Sequence, residues 1–150
     1  MHVGKIVTRP VETCGVNESA SALAARMRQS HVGNLVVIEY RNGEAVPVGL
    51  VTDRDLVVTV LANKLDPERV TAGEIMSRGA VVANEGDEVS VALEQMRRSG
   101  VRRLPVVDET GKLTGIVAMD DVVEYLASML VDVSRVGRLQ AIEEQRFRGD

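Results

Sequence analysis

The chain has 150 residues, 45% of them apolar and only 2% aromatic, with no Trp and a formal net charge of −4. That content supports one ordinary core or two very small ones, and it excludes the basic, aromatic-rich surface of a nucleic-acid binder. A single Cys14 leaves no internal disulfide or Cys-based zinc site, and His2 and His31 are too few for a His cluster.

In chain order, Met1 to Lys5 lacks the charged and then apolar layout of a signal peptide, and no apolar run approaches the ~20 residues that span a bilayer. A cytoplasmic protein without a membrane partner is expected. Val11 to Cys14 reads as a short extended segment. From Ser19 to Ser30, Ala20, Leu23, Ala24 and Met27 recur at helical spacing, and Ser19 is a suitable cap. Leu35 to Ile38 is a continuous apolar run that predicts a buried strand, Arg41-Asn42-Gly43-Glu44 a turn, and Val48 to Val51 a second strand. Thr52-Asp53-Arg54-Asp55 then opens a helix with Leu56, Val57, Val60 and Leu61 on its apolar face. Asn63 to Arg69, containing Pro67, reads as a linker.

The same order then returns. An extended segment at Ala80 to Ala83 precedes a helix from about Glu88 to Ser99. A strand at Arg103 to Val107, a turn at Asp108 to Gly111, a strand at Leu113 to Val117 and a helix from Asp120 complete it. Gly4-Lys5-Ile6-Val7-Thr8-Arg9 reappears as Gly73-Glu74-Ile75-Met76-Ser77-Arg78, an offset of 69 (73 − 4). Gly49 to Asp55 reappears as Gly115 to Asp121 at an offset of 66 (115 − 49). Two copies are too few for a solenoid. They suit a pseudo-twofold pair with functional sites in the clefts between copies. The division expected is 1–66 for the first copy, 67–130 for the second and 131–150 for a helical extension. That extension carries Val133, Val136, Leu139 and Ile142 as part of a stripe beginning at Val122. The stripe packs either against a second subunit or back on its own core, and Gly137 marks a position for a bend or break.

The sharpest local signal is Gly-x-x-Thr-x-x-Asp at Gly49 to Asp55. A strand that turns directly into a helix leaves free backbone N–H groups and brings a hydroxyl and a carboxylate to one edge. Such a carboxylate suits the paired hydroxyls of a ribose, although Thr52, Asp53 and Asp55 also fit the role of caps and first-turn acids. Asp53 with Asp55, or Asp120 with Asp121, lacks further nearby ligands, so no metal site is expected. Cys14 reads as a semi-buried thiol and not a nucleophile.

Gly-Leu-Val-Thr-Asp-Arg-Asp, Ile-Met-Ser-Arg, and Val101-Arg102-Arg103-Leu104-Pro105-Val106-Val107-Asp108 together resemble the repeats of the CBS domain, in the right order twice, over roughly Val3 to Leu130. The likeness extends to small stand-alone bacterial CBS-pair proteins. It implies an α/β (α+β type) fold of tandem CBS repeats, each helix-strand-strand-helix with an N-terminal extended segment. It also implies a regulatory module without catalysis that binds an adenosine-containing ligand such as AMP, ADP, ATP or NAD, requires no cofactor and forms a homodimer. By the same resemblance, Asp55 would hold the ribose hydroxyls and Thr52 the ribose or phosphate. Ser77, Ala80 and Val82 would face the adenine, and Arg102 and Arg103 would reach phosphate, although adjacent strand residues point to opposite faces. A second cleft would use Asp121 with Thr8, Val11 and Thr13. There Ala118 replaces the hydroxyl, a loss of roughly 1 kcal/mol or about fivefold in affinity. The positions matching Arg102 and Arg103 are Gly33 and Asn34, which supply no cation. The alternative is a structural dimerisation domain with vestigial ligand sites.

Overall fold

The computed structural model describes residues 1–148. Copy one contributes β1 (Thr13–Gly15), α1 (Ala20–Ser30), β2 (Asn34–Arg41), β3 (Glu44–Thr52) and a last helix whose first turn is α2 (Asp53–Asp55). A wider π turn over Leu56–Leu61 continues that helix. After α3 (Ala72–Ile75) and β4 (Ser77–Arg78), copy two contributes β5 (Ala83–Asn84), α4 (Val89–Ser99), β6 (Arg103–Val107), β7 (Leu113–Ala118) and α5 (Met119–Arg148). The expected helix-strand-strand-helix order, with an extended segment before it, is present in both copies.

Local chemistry explains most boundaries. Ser19 caps α1 by accepting from the Ala22 N–H at 3.2 Å. Asn42 and Gly43, both at positive φ, join β2 to β3 in a two-residue turn whose twist matches the flanking strands. That turn lets β2 and β3 pair over their whole length from Arg41↔Glu44 to Asn34↔Thr52, so both strands exceed the apolar runs that predicted them. Helix α4 ends on Gly100 in the left-handed region, and α1 ends in the same way on His31.

The copies exchange their opening segments. One sheet has the order β1-β2-β3-β4, and β4 belongs by sequence to copy two. Leu50 pairs with Ser77 at that edge. At the matching edge of the sheet β5-β6-β7, Ile116 bridges to Thr8 from the start of the chain. The start of α1 receives the Val70 carbonyl on the Ala20 N–H at 2.8 Å, and the start of α4 receives the Met1 carbonyl on the Val89 N–H at 3.0 Å. Each packed core records the exchange: Ala72 and Ile75 lie with Leu23, Leu35 and Val51, whereas Val3 lies with Leu104, Val106 and Val117.

Glycine is required where the exchanged segments cross. A Cβ on Gly49 would lie 2.5 Å from the Met76 sulfur, and one on Gly115 would overlap Val7 and sit 3.1 Å from the Thr8 carbonyl oxygen.

Four sequence expectations change or are narrowed. The last helix of copy one buries Val60 and half-buries Leu56 but leaves Val57 and Leu61 exposed, because the π turn rotates the face away from 3.6-residue spacing. Helix α5 passes Gly137 without a break. It also does not fold back on its own core. Beyond Val122, which is buried, Leu126, Leu130, Val133, Val136 and Leu139 are exposed, Leu130 at 71%. The Asn63 to Arg69 linker is tied down, with the Pro67 carbonyl accepting from the Ser21 N–H at 3.0 Å. No helix among the described residues is long and apolar enough to cross a membrane.

Candidate functional site: two clefts between exchanged segments

Where each exchanged segment leaves one sheet for the other it opens a small cleft. The first, about 210 Å³, is lined by Leu50 of β3, Ser77 and Arg78 of β4, Gly79 to Val81, and Ser99, Val101, Arg103 and Pro105 from copy two. Ser77 is fixed there by its hydroxyl, which donates to the Leu50 carbonyl at 3.2 Å. Ser77, Ala80 and Arg103 therefore share one cleft. Val82 is not among its lining residues, and Val81 takes that place. Arg102 points away, into an ion pair with Asp120 at 3.5 Å, as the alternation of strand side chains requires.

Thr52 and Asp55 do not line this cleft; they stand one pleat beyond Leu50 at the end of β3. Together they form a capping box. Asp55 Oδ2 accepts from the Thr52 N–H at 2.8 Å and from its hydroxyl at 2.9 Å, and Thr52 Oγ1 accepts from the Asp55 N–H at 3.2 Å. Asp55 Oδ1 takes no part in the box, so one carboxylate oxygen of the pair is not committed to the cap.

The second cleft, about 250 Å³, is lined by Thr8, Pro10, Val11 and Glu12 from the opening segment, Val32 and Asn34 from copy one, and Ile116, Ala118, Asp120 and Asp121. Arg103 lines it too. Thr8, Val11 and Asp121 are thus brought together, and a cation is present that matching copy against copy did not reveal. Thr13 is not in the cleft; it sits in β1, where its carbonyl accepts from Arg26. Asp121 Oδ2 accepts from the Ala118 N–H at 2.7 Å, half of the box seen at Thr52.

Both volumes fall below the roughly 300 Å³ typical of pockets that enclose a drug-sized ligand. A broader depression of about 860 Å³, between His2 to Lys5, Asn84 to Gly86 and Asp108 to Thr110, gathers none of the residues expected to bind. Cys14 is buried, and desolvation, reinforced by Glu18 and opposed by Arg26, pushes its thiol up to about 11, which keeps it protonated near neutral pH. Among the described residues no group of three or more His, Cys, Asp or Glu is placed to hold a metal ion.

Sequence reasoning missed Leu50, Arg78, Val81, Val101 and Pro105 in the first cleft, and Pro10, Glu12 and Val32 in the second. The 69-residue offset carried a signal for some of them, since Arg78 directly follows the expected Ser77.

Two α/β repeats that trade opening segments and enclose paired clefts define a pseudo-twofold tandem-repeat module. The chain belongs to the CBS-domain family, whose profile matches residues 3–62 and 72–128. An uncharacterized protein of Methanopyrus kandleri is 38% identical over 81% of this chain, which spans 61% of that relative's length. Hypoxic response protein 1 of Mycobacterium tuberculosis is 32% identical over 81% of this chain and 82% of its own. A solved CBS domain protein from Pyrobaculum aerophilum, complexed with AMP, superposes with a TM-score of 0.72 at 26% identity, covering 81% of this chain and 89% of that one.

Proposed function

We propose that this protein is a regulatory module that binds an adenosine-containing ligand between its repeats, without converting it chemically, and passes occupancy on through the geometry of a homodimer. The observation that carries this reading is the first cleft, where Ser77, Ala80 and Arg103 converge from both sides of the segment exchange. A ligand there touches both copies at once, so its binding bears directly on how they pack. The AMP bound by the Pyrobaculum relative supports an adenine ligand. In this reading Thr52 and Asp55 receive the ribose at the end of β3, and Ser77, Ala80 and Val81 flank the base, with Val81 in the place expected of Val82. Arg103 meets phosphate, with Arg102 outside, and Asp121, Thr8 and Val11 belong to the second site, with Thr13 outside it. The duplication units remain 1–66 and 67–130, with 131–150 as the extension.

Titration calorimetry with AMP, ADP, ATP and NAD tests the reading. Binding of at least one of them tighter than millimolar is expected, weakened at least about tenfold by Asp55→Ala. No binding, or binding indifferent to Asp55→Ala, overturns the site. Recovery of unmodified nucleotide after long incubation with magnesium is expected, and product formation would make the protein an enzyme.

A second reading, a dimerisation domain with vestigial sites, draws on the exposed apolar side chains of α5 and on the capping box that already occupies Asp55 Oδ2. Removing residues after Leu130 separates the two. Under the dimerisation reading the mass in solution halves while no nucleotide binds to either form.

A further inference from the structure

The two clefts occupy equivalent places, yet their linings differ in charge. Asp120 of the second cleft corresponds to Arg54, which does not line the first, and Val81 of the first cleft corresponds to Glu12 of the second. Arg103 corresponds to Asn34, but it lines both clefts, so this pair does not separate them. Arg78 corresponds to Arg9, whose Nε donates to the Thr114 carbonyl at 2.9 Å and whose guanidinium pairs with Glu85. Arg78, by contrast, makes no side-chain hydrogen bond or ion pair among the described residues.

The first cleft is therefore lined by two arginines. Asp55, the counterpart of Asp121, is the one carboxylate that the adenosine reading brings to its ligand, so Glu12 and Asp120 are the acids without a counterpart in the first cleft. The second is lined by Glu12, Asp120 and Asp121 against Arg103 alone, with Arg102 outside it offsetting Asp120. A phosphate is stabilised by guanidinium donors and repelled by carboxylates a few ångströms away, most strongly where low-dielectric walls limit screening.

We propose that the clefts sort adenosine ligands by charge: the first takes a phosphorylated one, and the second takes a neutral or cationic one. Arg103, lining both, couples them. Drawn to a phosphate in the first cleft, it withdraws positive charge from the second and sharpens that cleft's preference against anions. This rests on the adenosine-binding reading and adds an unequal division of labour between the sites.

Calorimetry on the full chain, with AMP first and adenosine then titrated into the AMP-saturated protein, tests it. AMP is expected to saturate at one per chain, and adenosine to bind at one further site. Arg103→Met is expected to weaken AMP at least about tenfold while changing adenosine binding by less than about threefold, and Arg103→Lys to recover most of the AMP affinity. Two AMP sites of equal affinity, or adenosine excluded once AMP is bound, overturn the charge sorting and leave the adenosine reading standing. Absence of binding by either ligand removes both.

Discussion

Copy one starts its last helix on Thr52 and ends α1 on His31; copy two starts on Ala118 and ends α4 on Gly100. At the crossings of the exchanged segments, however, both copies have glycine, at Gly49 and Gly115 and again at Gly73 and Gly4. The positions that fix how the copies interlock are alike, while those facing the clefts and the solvent have diverged. A duplicated scaffold can thus keep its packing geometry and still carry two different chemistries.

Matched substitutions probe that likeness. Leu35 and Leu104 are equivalent and both fully buried, one in each core. Leu35→Ala and Leu104→Ala should each cost about 3 kcal/mol in urea unfolding. If the exchanged segments make one cooperative unit, fluorescence-labelled and circular-dichroism transitions coincide in both variants. Two separated transitions would show copies that fold independently.

The glycine crossings come next. Gly115→Ala meets a β-branched Val7 and a backbone oxygen, whereas Gly49→Ala meets the flexible end of Met76. Thermal unfolding should show a loss of about 2–3 kcal/mol for the first and about 1 kcal/mol for the second. Equal losses would mean that the two crossings give way alike.

Smaller effects separate the helix ends. Thr52→Ala removes half of a capping box and should cost about 1 kcal/mol, while Ala118→Thr should return part of that to copy two. His31→Gly should stabilise by about 0.5–1 kcal/mol, because His31 holds φ +53°, which glycine adopts without a Cβ clash. A loss of stability at either Ala118→Thr or His31→Gly would show that the difference between the copies serves packing at that point.

Much of this architecture is legible in the sequence because it is local. The apolar spacing of Leu23 and Met27, the Asn42-Gly43 turn and the Gly-Leu-Val and Gly-Ile-Val runs each specify their element within a few residues. The exchange of segments is not local. Nothing near Thr8 says that its partner is Ile116, and only the offset that aligns Thr8 with Ser77 hints at it. For the same reason the lining of the clefts was partly hidden. Arg103 reaches both because β6 runs between them, a consequence of tertiary placement that no pairwise matching of copies contains. The exposed face after the π turn was missed because a helical wheel assumes an unbroken 3.6-residue period.

The exchange also sets an order of events during synthesis. Residues 1 to 8 leave the ribosome well before the strand position they border, since Ile116 is made more than a hundred residues later. The sheet of copy one has all its strands once Ser77 and Arg78 emerge, but residues 1 to 8 have no partner strand until residue 116 has been translated. One copy can thus complete its sheet during synthesis, while the other depends on a segment made far ahead of it.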